Sequence, residues 1–210
     1  ECAAIAGESP GLLVPFRPSD APLPLDETHL IGEHNLGNIA AAYKVGRHLG
    51  VPDAACLSAF REFRGLPHRL QSLGVHHGIE WVDDAISTTP ESTIAALDAL
   101  GERVATLLLG GQDRGYDFTA LGRRIAASAV KDAILFPDTG PRIRAAIEAA
   151  GAPVRFHPAG EMETAVRIAR QVTPPGAVCL LSTASPSYNL WTNFEAKGDA
   201  FAAAVRLTDG

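Results

Sequence analysis

From residue 70 onward, short apolar runs alternate with longer segments whose apolar residues recur at helical spacing. The apolar runs predict five strands: Ile79–Val82, Val104–Leu109, Ala133–Phe136, Val154–Phe156 and Ala177–Leu181. The longer segments predict five helices: Glu91–Leu100, Phe118–Ser128, Gly140–Ala150, Glu161–Gln171 and Asn193–Leu207. Continuous apolar strands separated by helices are typical of a parallel sheet that is covered on both faces. The pattern therefore predicts an α/β fold with a Rossmann-like, open and mostly parallel sheet and helices on both faces.

The N-terminal third follows a different pattern. Frequent prolines before residue 30 exclude a long helix, so short strands and turns are expected there, with one more strand at Thr28–Gly32. Helical spacing then predicts a helix within Glu33–Gly50 and a second over Pro52–Phe63. Gly65 and Pro67 interrupt the pattern, which predicts a domain boundary at this point.

Composition narrows the class of protein. Apolar residues make up 46% of the 210 residues and charged residues 20%, which is enough to bury a core. The net charge of −6 argues against a nucleic-acid surface, which needs a clustered basic face. No apolar run approaches the length of a membrane span and no signal peptide is evident, which predicts a soluble, cytoplasmic protein without a membrane partner.

The three cysteines, Cys2, Cys56 and Cys179, are scattered and form no CxxC pair. Cys56 and Cys179 lie in apolar runs, so they are expected to be buried free thiols rather than metal ligands or nucleophiles. Free thiols fit a reducing cytosol.

One stretch, Trp81–Thr93, combines a strand end, two acids and a hydroxyl-rich turn that opens a helix. Pro90 suits the first helical turn because its missing N–H would have no partner there, and Thr89 before it can be the N-cap. Free N–H groups and the helix dipole attract anions at such a junction, where α/β folds place ligands. The stretch therefore predicts an anion-binding site.

Three loops follow strand ends and should share the carboxyl edge of the sheet. They are Asp83–Thr89, Gly110–Asp117 and Ser182–Asn193, called below the first, second and third loops. Together they offer carboxylates, hydroxyls, a guanidinium and backbone N–H groups. This composition suits a polar, anionic small molecule.

Each candidate residue also has a purely structural explanation. Asp83 and Asp84 should point to opposite faces of their strand, so one of them can face a site, but both could instead solvate a turn. Arg114 could bind a carboxylate or phosphate, or be a surface arginine in a tight turn. Asn35 and Asn38 could read an adenine edge or cap a helix.

No pattern indicates a nucleophile or a metal site, so no catalytic residue and no metal ligand is assigned. The third loop contains several hydroxyls but no GxSxG frame, and its serines are expected to bind rather than react. His76 and His77 lack a third ligand nearby in sequence and are expected in a solvated turn. The sequence also contains no GxxxxGK[ST] phosphate loop.

The order of the motifs is more specific than any one of them. Between Gly32 and Phe201 the chain reads, in sequence, GEHNLGNIAAA, FRGLPHR, VDDAISTTPEST, LLLGGQDRGYDF and LLSTASPSYNLWTNFEAKGDAF. This set resembles the Mur ligases, and most closely the UDP-N-acetylmuramoyl-alanine–glutamate ligases. The resemblance extends from Gly32 to Leu207, which is nearly the whole chain.

The resemblance implies an ATP-dependent amide-bond ligase of peptidoglycan precursor synthesis. In that family ATP phosphorylates the carboxylate of UDP-N-acetylmuramoyl-L-alanine, and the amine of glutamate then attacks the acyl phosphate. A carboxylate is a poor electrophile until it acquires a leaving group. The remaining rate enhancement comes from positioning of the reactants and stabilisation of charge. The implied partners are ATP, glutamate and UDP-N-acetylmuramoyl-L-alanine.

Enzymes of this family have a UDP-sugar domain, a central ATPase domain and a Rossmann-like C-terminal domain that supplies glutamate. By resemblance, residues 1–65 are the end of the central domain and residues 66–210 are the C-terminal domain. The N-terminal domain, the phosphate loop and the main ligands of Mg²⁺ would then belong to a part of the protein that this chain lacks. The 210 residues are therefore expected to be inactive alone, and ATP-dependent ligation by them would refute this.

The resemblance also implies two sets of ligands. For ATP they are Asn35 and Asn38 on the adenine side, and Arg69 and Asp84 towards the phosphates and ribose. For glutamate they are Thr88 and Arg114 at one carboxylate, and Ser187 and the backbone of Phe194 at the other.

The chain departs from the family pattern in the amino-acid pocket. The D-glutamate enzymes usually read DSKATN where this chain reads DAISTT over Asp84–Thr89, so a lysine is replaced by Ile86 and an asparagine by Thr89. In the second loop the usual lysine is replaced by Arg114, a larger and planar cation. These changes resemble the variant branch that adds L-glutamate, which predicts L-glutamate rather than D-glutamate as substrate.

Two other functions stay open at this point. A ligase that joins folate and glutamate shares the superfamily architecture, although FRGLPHR together with LLS and NF favours the Mur resemblance. A non-catalytic α/β module that binds a nucleotide or an amino acid is a different class of protein. A natural gene without an upstream GK[ST] loop would favour that module.

Overall fold

The structure is a computed structural model that describes Gly7 and residues 10–207, so Cys2 lies outside the described residues. The chain divides into two units, Glu1–Arg64 and Gly65–Gly210. We propose that the first unit is the end of an ATPase domain and that the second is a glutamate-binding domain.

The first unit contains α1 (His34–His48) and α2 (Asp53–Glu62), both within the segments predicted to be helical. Before them, the described residues form 3-10 turns at Pro18–Asp20 and Leu25–Glu27 and contain no strand.

The prediction of a strand at Thr28–Gly32 is wrong, because the Thr28 hydroxyl forms hydrogen bonds with nearby backbone groups. The Thr28 hydroxyl donates to the Leu25 carbonyl at 2.8 Å and accepts from the Leu30 N–H at 3.2 Å. A side chain that bonds nearby backbone in this way stabilises a turn in competition with a strand pairing.

The second unit is built on one six-stranded sheet. Its strands are β1 (Gln71–His76), β2 (Ile79–Asp83), β3 (Val104–Leu109), β4 (Asp132–Leu135), β5 (Arg155–Pro158) and β6 (Val178–Leu181). The order across the sheet is β1-β2-β6-β3-β4-β5; β1 is antiparallel to β2 and the other pairings are parallel. All five predicted strands are present, and the mostly parallel sheet is confirmed.

The helices of this unit are α3 (Pro90–Leu100), α4 (Thr119–Ala126), α5 (Gly140–Ala149), α6 (Met162–Val172) and α7 (Phe194–Arg206). α4 packs against both α3 and α5, whereas α6 packs against α7. The connections through α3, α4 and α5 progress in one direction across the sheet, and the connection through α6 returns. Right-handed crossovers therefore place the two groups of helices on opposite faces, as predicted.

The hydropathy pattern does not predict β1, because most of its residues are exposed and it contains no apolar run. β1 forms a hairpin with β2 through His77 and Gly78, whose φ angles are 53° and 78°. Two successive positive φ angles are typical of the two-residue turn that matches the twist of antiparallel strands. The glycine at the second position is the sequence signal that marks this turn.

The core between the sheet and the α6–α7 pair contains Trp81, Phe136 and Phe201, each 0% exposed. Cys56 and Cys179 are buried free thiols, as predicted, and burial raises the pKa of Cys179. Among the residues that the structure describes, no helix combines the length and the apolar character needed to cross a membrane.

Candidate functional site

The three loops meet at the carboxyl edge of the sheet, because β6 lies between β2 and β3. Thr183 of the third loop contacts both of the others. Its hydroxyl lies 3.3 Å from the Ser87 carbonyl oxygen, and its carbonyl accepts from the Gly110 N–H at 2.9 Å. The Gln112 N–H also donates to the Pro186 carbonyl at 2.6 Å. The predicted shared edge is confirmed.

The first loop ends in a well-capped helix. Thr89 is the N-cap of α3: its hydroxyl accepts from the Ser92 N–H at 3.3 Å, and its own N–H donates to the Ser92 hydroxyl at 3.2 Å. Pro90 is the first helical residue, as predicted. Thr88, directly before the cap, is half-buried beside the positive end of the helix dipole.

Asp83 does not solvate the turn, since it is 0% exposed. Its Oδ2 lies 2.8 Å from Nδ1 of His68, and its Oδ1 accepts from the Ala85 N–H at 2.9 Å. The backbone of α7 adjoins this pair, because a Cβ at Gly198 would lie 2.7 Å from Oδ2 of Asp83. Asp83 is therefore an interior acid with protein partners.

Asp84 is also interior, at 3% exposure. Its oxygens accept from the Leu70 N–H at 3.2 Å and from the Ser182 hydroxyl at 2.9 Å. Burial raises the pKa of Asp84 to about 6, although its hydrogen bonds to Ser87, Ser182 and Leu70 act against burial. The alternative in which both acids solvate a turn is therefore wrong.

Two glycines of the second loop pass close to neighbouring backbone. A Cβ on Gly110 would lie 2.3 Å from the Phe136 carbonyl oxygen, and one on Gly111 would lie 2.3 Å from the Pro186 carbonyl oxygen. The Gly111 carbonyl also accepts from the N–H of Thr139 at 3.0 Å and from its hydroxyl at 3.1 Å. Because these two glycines have no side chain, the second loop packs directly against the backbone at Phe136 and at Pro186 of the third loop.

Arg114, at the tip of the second loop, is exposed. The tip is shaped by its neighbour Asp113, whose carboxylate accepts from Arg142 at 2.5 Å and from the Gly115 N–H at 2.8 Å. These bonds lower the pKa of Asp113, with the Gly115 N–H as the larger cause. The guanidinium of Arg114 therefore projects from a loop tip that is ordered by other groups.

The third loop leads into the N-terminus of α7. Ser187 is 6% exposed, and its carbonyl accepts from the N–H groups of Leu190 and Trp191 at 3.0 and 2.8 Å. Asn193 caps α7 by accepting from the Ala196 N–H at 2.7 Å, which makes Phe194 the first helical residue. The Phe194 N–H thus belongs to the first turn, whose N–H groups suit an anion.

The four predicted glutamate ligands all lie on these loops or at the helix start that follows them. Thr88 lies in the first loop, Arg114 in the second, Ser187 in the third, and Phe194 opens α7. Their binding of glutamate stays a prediction.

The predicted ATP ligands fall in both units. In the second unit Arg69 is exposed and Asp84 is buried. In the first unit the Asn35 amide donates to the Ile31 carbonyl at 2.9 Å, and the Asn38 amide donates to Oδ1 of Asn35, also at 2.9 Å. The two asparagines thus form one hydrogen-bonded chain in the first turns of α1, and their role towards adenine stays a prediction.

Sequence reasoning does not single out Lys197, which is 0% exposed in α7. Its Nζ donates to the Thr183 hydroxyl oxygen at 2.6 Å. Burial lowers the pKa of Lys197 to about 7, while the charges of Asp83 and Asp84 act in the opposite direction. The helical spacing of Phe194, Lys197 and Phe201 is the signal that could have placed this lysine on the inner face.

Asp84 and Lys197 should change the stability of the protein with pH in opposite directions. Asp84 has a folded-state pKa of about 6, above its usual 3.8, so it adds stability as the pH falls from about 6 towards 3.8. Lys197 has a folded-state pKa of about 7, below its usual 10.5, so it adds stability as the pH rises from about 7 towards 10.5.

Urea unfolding at a series of pH values measures both effects. The difference in unfolding free energy between the wild type and Asp84→Asn should change across the acid range by no more than about 3 kcal/mol. The difference from Lys197→Met should change across the alkaline range instead. Comparing wild type and variant at each pH cancels the ionisable groups that do not interact with the replaced residue. A flat acid-range difference for Asp84→Asn would contradict the raised pKa.

The comparisons with known proteins place the chain in a family. A sequence model described as the Mur ligase, glutamate ligase domain, matches residues 68–184, which is more than half of the chain. The chain therefore belongs to the Mur ligase family, and the matched part is its glutamate ligase domain.

Two similar proteins are named UDP-N-acetylmuramoyl-L-alanine–L-glutamate ligase. The one from Salinispora tropica is 42% identical and the one from a Micromonospora species 39%, each over 93% of this chain and 44% of the relative. A UDP-N-acetylmuramoylalanine–D-glutamate ligase from Burkholderia mallei is 36% identical over 87% of this chain and 36% of its own length. The chain thus spans less than half the length of these curated relatives.

Solved structures share the fold at low sequence identity. The MurF ligase from Thermotoga maritima in complex with ADP matches 85% of this chain and 40% of its own, with a TM-score of 0.58 and 19% identity. The folylpolyglutamate synthase from Mycobacterium tuberculosis complexed with ADP matches 84% and 41%, with a TM-score of 0.58 and 18% identity. At such identities the likeness concerns the fold.

No group of three or more His, Cys, Asp or Glu side chains could hold a metal ion within the part of the chain that the structure describes. The expectation that Mg²⁺ is bound mainly by residues outside this chain stays a prediction.

Proposed function

We propose that this chain is the glutamate-binding part of an ATP-dependent ligase that adds L-glutamate to UDP-N-acetylmuramoyl-L-alanine in peptidoglycan precursor synthesis. The observation that carries the proposal is the meeting of the three loops at one sheet edge, in a chain that belongs to the Mur ligase family. Glutamate has two carboxylates and an amine, and the loops offer a guanidinium, hydroxyls and the N–H groups of two helix starts. The reaction would proceed through an acyl phosphate formed from ATP.

In this proposal the positions of the ligands follow from the loops. Thr88 and Arg114 bind one carboxylate of glutamate, and Ser187 with the Phe194 N–H binds the other. Arg69 and Asp84 act towards the phosphates and ribose of ATP. Asn35 and Asn38, in the first unit, are proposed for the adenine. The buried, hydrogen-bonded carboxylate of Asp84 would orient the first loop beside the nucleotide.

The preference for L-glutamate rests on two observations. The relatives at 42% and 39% identity are named for L-glutamate, whereas those at 36% are named for D-glutamate. The first loop also contains Ile86, which is half-buried and donates its N–H to the His68 carbonyl at 3.1 Å. An apolar side chain at this position gives the pocket one cation fewer than the usual D-glutamate pattern.

The alternatives receive less support. The fold likeness to folylpolyglutamate synthase has the same TM-score as the likeness to MurF, so the fold does not separate the two functions. The identity of 36–42% to muramoyl-alanine–glutamate ligases favours the proposed substrate. A non-catalytic binding module would bind glutamate or a nucleotide without contributing to ligation in any longer form of the protein.

Binding of glutamate by this chain tests the proposal directly. Titration of ¹⁵N-labelled protein with L-glutamate should shift the amide signals of Thr88, Arg114, Ser187 and Phe194, and D-glutamate should do so at higher concentration. L-Glutamine, which lacks the side-chain carboxylate, is the matched control ligand. Equal shifts with both enantiomers, or shifts elsewhere in the chain, would sink the assignment.

Arg114→Ala should weaken L-glutamate binding about 10- to 100-fold, since a hydrogen bond between charged groups contributes about 1.5–3 kcal/mol. Arg144→Ala is the matched control, because Arg144 lies on α5 and is paired with Glu148 at 2.8 Å. Equal affinities of wild type and Arg114→Ala, measured by the same titration, would exclude Arg114 as a carboxylate ligand.

We do not expect ATP-dependent ligation by these residues alone, because their sequence contains no GxxxxGK[ST] phosphate loop. Product formation by the purified chain with ATP, glutamate and UDP-N-acetylmuramoyl-L-alanine would show the opposite.

A further inference from the structure

The Thr183 hydroxyl lies at the centre of a buried junction. Its oxygen is 2.6 Å from Nζ of Lys197, 3.0 Å from the Ser185 carbonyl oxygen and 3.3 Å from the Ser87 carbonyl oxygen. Thr183 and Lys197 are both 0% exposed. Water therefore does not compete for these contacts, and the protons must be shared among the four groups.

The number of protons limits the arrangement. An ammonium group only donates hydrogen bonds, and a hydroxyl has a single proton. While Lys197 is protonated it donates to Thr183, so the Thr183 proton is directed to the carbonyl of Ser185 or Ser87. Once Lys197 loses its proton, its nitrogen has a lone pair and can accept a hydrogen bond from the Thr183 hydroxyl. The Thr183 hydroxyl then no longer donates to either carbonyl.

These two carbonyls belong to the loops of the site. The Ser87 carbonyl shares a peptide group with the N–H of Thr88, in the first loop. The Ser185 carbonyl shares a peptide group with Pro186, which directly precedes Ser187 in the third loop. A change in the hydrogen bonding of either carbonyl therefore acts within two residues of one that we propose to bind glutamate.

We propose that Lys197 is a positioning residue that acts through Thr183, and that its protonation fixes the first and third loops in the arrangement that binds glutamate. The link to glutamate rests on the proposed function, whereas the relay from Lys197 to the loops does not. Loss of the proton reverses the direction of the Lys197–Thr183 hydrogen bond and releases the loop carbonyls.

The charged groups around Lys197 favour its protonated form. Asp83, at the end of β2, and Asp84, in the first loop, both raise the pKa of Lys197, against the larger effect of burial. His68 binds Asp83 at 2.8 Å, and its Nε2 lies 3.9 Å from Asp199 of α7. From α6, Arg170 donates to the carbonyl of Val205 at the far end of α7.

The result of this balance is a lysine that titrates near neutrality. Because the pKa of Lys197 is about 7, the relay should direct the Thr183 proton to the loops below neutral pH and release it above. Burial raises the pKa of Asp84 to about 6, close to this range, so the experiment must separate the effect of Asp84 from that of Lys197.

Carbon-detected and amide-detected NMR of the ligand-free chain tests the relay. The ¹³C′ shift of Ser87, read through the Thr88 amide, should titrate with the same midpoint as the ¹³Cε of Lys197. A Ser87 carbonyl shift that is constant with pH, or that follows a different midpoint, would overturn the proposal.

Four variants assign the effect. Thr183→Val should abolish the titration of the Ser87 carbonyl, and Thr183→Ser, which keeps the hydroxyl, should retain it. Lys197→Arg keeps a positive charge throughout this range, so its Ser87 shift should not titrate at the midpoint of the wild-type Lys197. His68→Gln should leave the Ser87 and Lys197 midpoints equal. Persistence of the titration in Thr183→Val, or its loss in His68→Gln, contradicts the relay.

The affinity for L-glutamate tests the functional link separately. It should be several-fold weaker one pH unit above the Lys197 midpoint than one unit below, and Lys197→Arg should lose most of this pH dependence. Equal pH dependence in the wild type and Lys197→Arg would refute the link. If the chain binds no glutamate at all, the proposed function fails, while the Ser87 titration still decides the relay.

Discussion

Gly110→Ala is expected to lower the free energy of unfolding by about 3 kcal/mol or more, or to prevent folding. The added methyl group would lie 2.3 Å from the carbonyl oxygen of Phe136 and 2.9 Å from its nitrogen. Both are backbone atoms at the end of β4, and Phe136 itself is 0% exposed, so neither can move without disturbing the sheet. The φ angle of Gly110 is also +110°, which L-residues with side chains rarely adopt.

Urea unfolding of Gly110→Ala and Gly160→Ala measures this effect. Gly160 is the matched control, because a Cβ there would meet nothing within 4 Å. Its substitution should change the unfolding free energy by less than about 1 kcal/mol. If both variants unfold at the urea concentration of the wild type, the second loop does not depend on the close approach at Gly110.

Asp83→Ala is expected to cost about 3 kcal/mol at a pH where Lys197 is protonated, because it removes one member of a buried charge cluster. Nδ1 of His68 and the N–H of Ala85 would lose their acceptor, and Lys197 would lose one of two carboxylates that favour its charge. Asp83→Asn keeps an oxygen for the Ala85 N–H and should cost less.

An exposed ion pair is the control for Asp83. Asp98 accepts from Arg124 at 2.6 Å, but its side chain is 61% exposed. Because water and side-chain entropy offset an exposed pair, Asp98→Ala should cost less than about 1 kcal/mol. A double-mutant cycle completes the test: Asp83→Ala should be less costly in a Lys197→Met background, and strictly additive effects would show that the two residues do not interact.

The loops of the site are held in place by buried polar groups and close backbone contacts. Gly110 joins the second loop to β4, and Thr183 joins the third loop to the other two. Asp83 of the first loop binds His68, and its charge favours the protonated form of Lys197. A glutamate pocket assembled in this way would be ordered before its ligand arrives. Such order reduces the entropy lost on binding.

Local sequence patterns were sufficient for most of the fold. The apolar runs located β2 to β6, and helical spacing located α1 to α7, because burial on one face requires that spacing. Thr89 and Pro90 marked the start of α3 through capping chemistry that involves neighbours in the chain. Thr28 shows the limit of such patterns, since a short apolar segment became a turn once its hydroxyl bonded the backbone.

The candidate ligands could be placed on loops from the sequence, because parallel strands bring their carboxyl ends to one edge. The sequence by itself thus determined the elements, the polar edge and the family motifs. The tertiary structure alone decided that Asp83 and Asp84 are buried and that Lys197 points inward to Thr183. Burial depends on partners such as Ser87 and Thr183, which lie 96 positions apart in the chain and meet only when β6 inserts between β2 and β3.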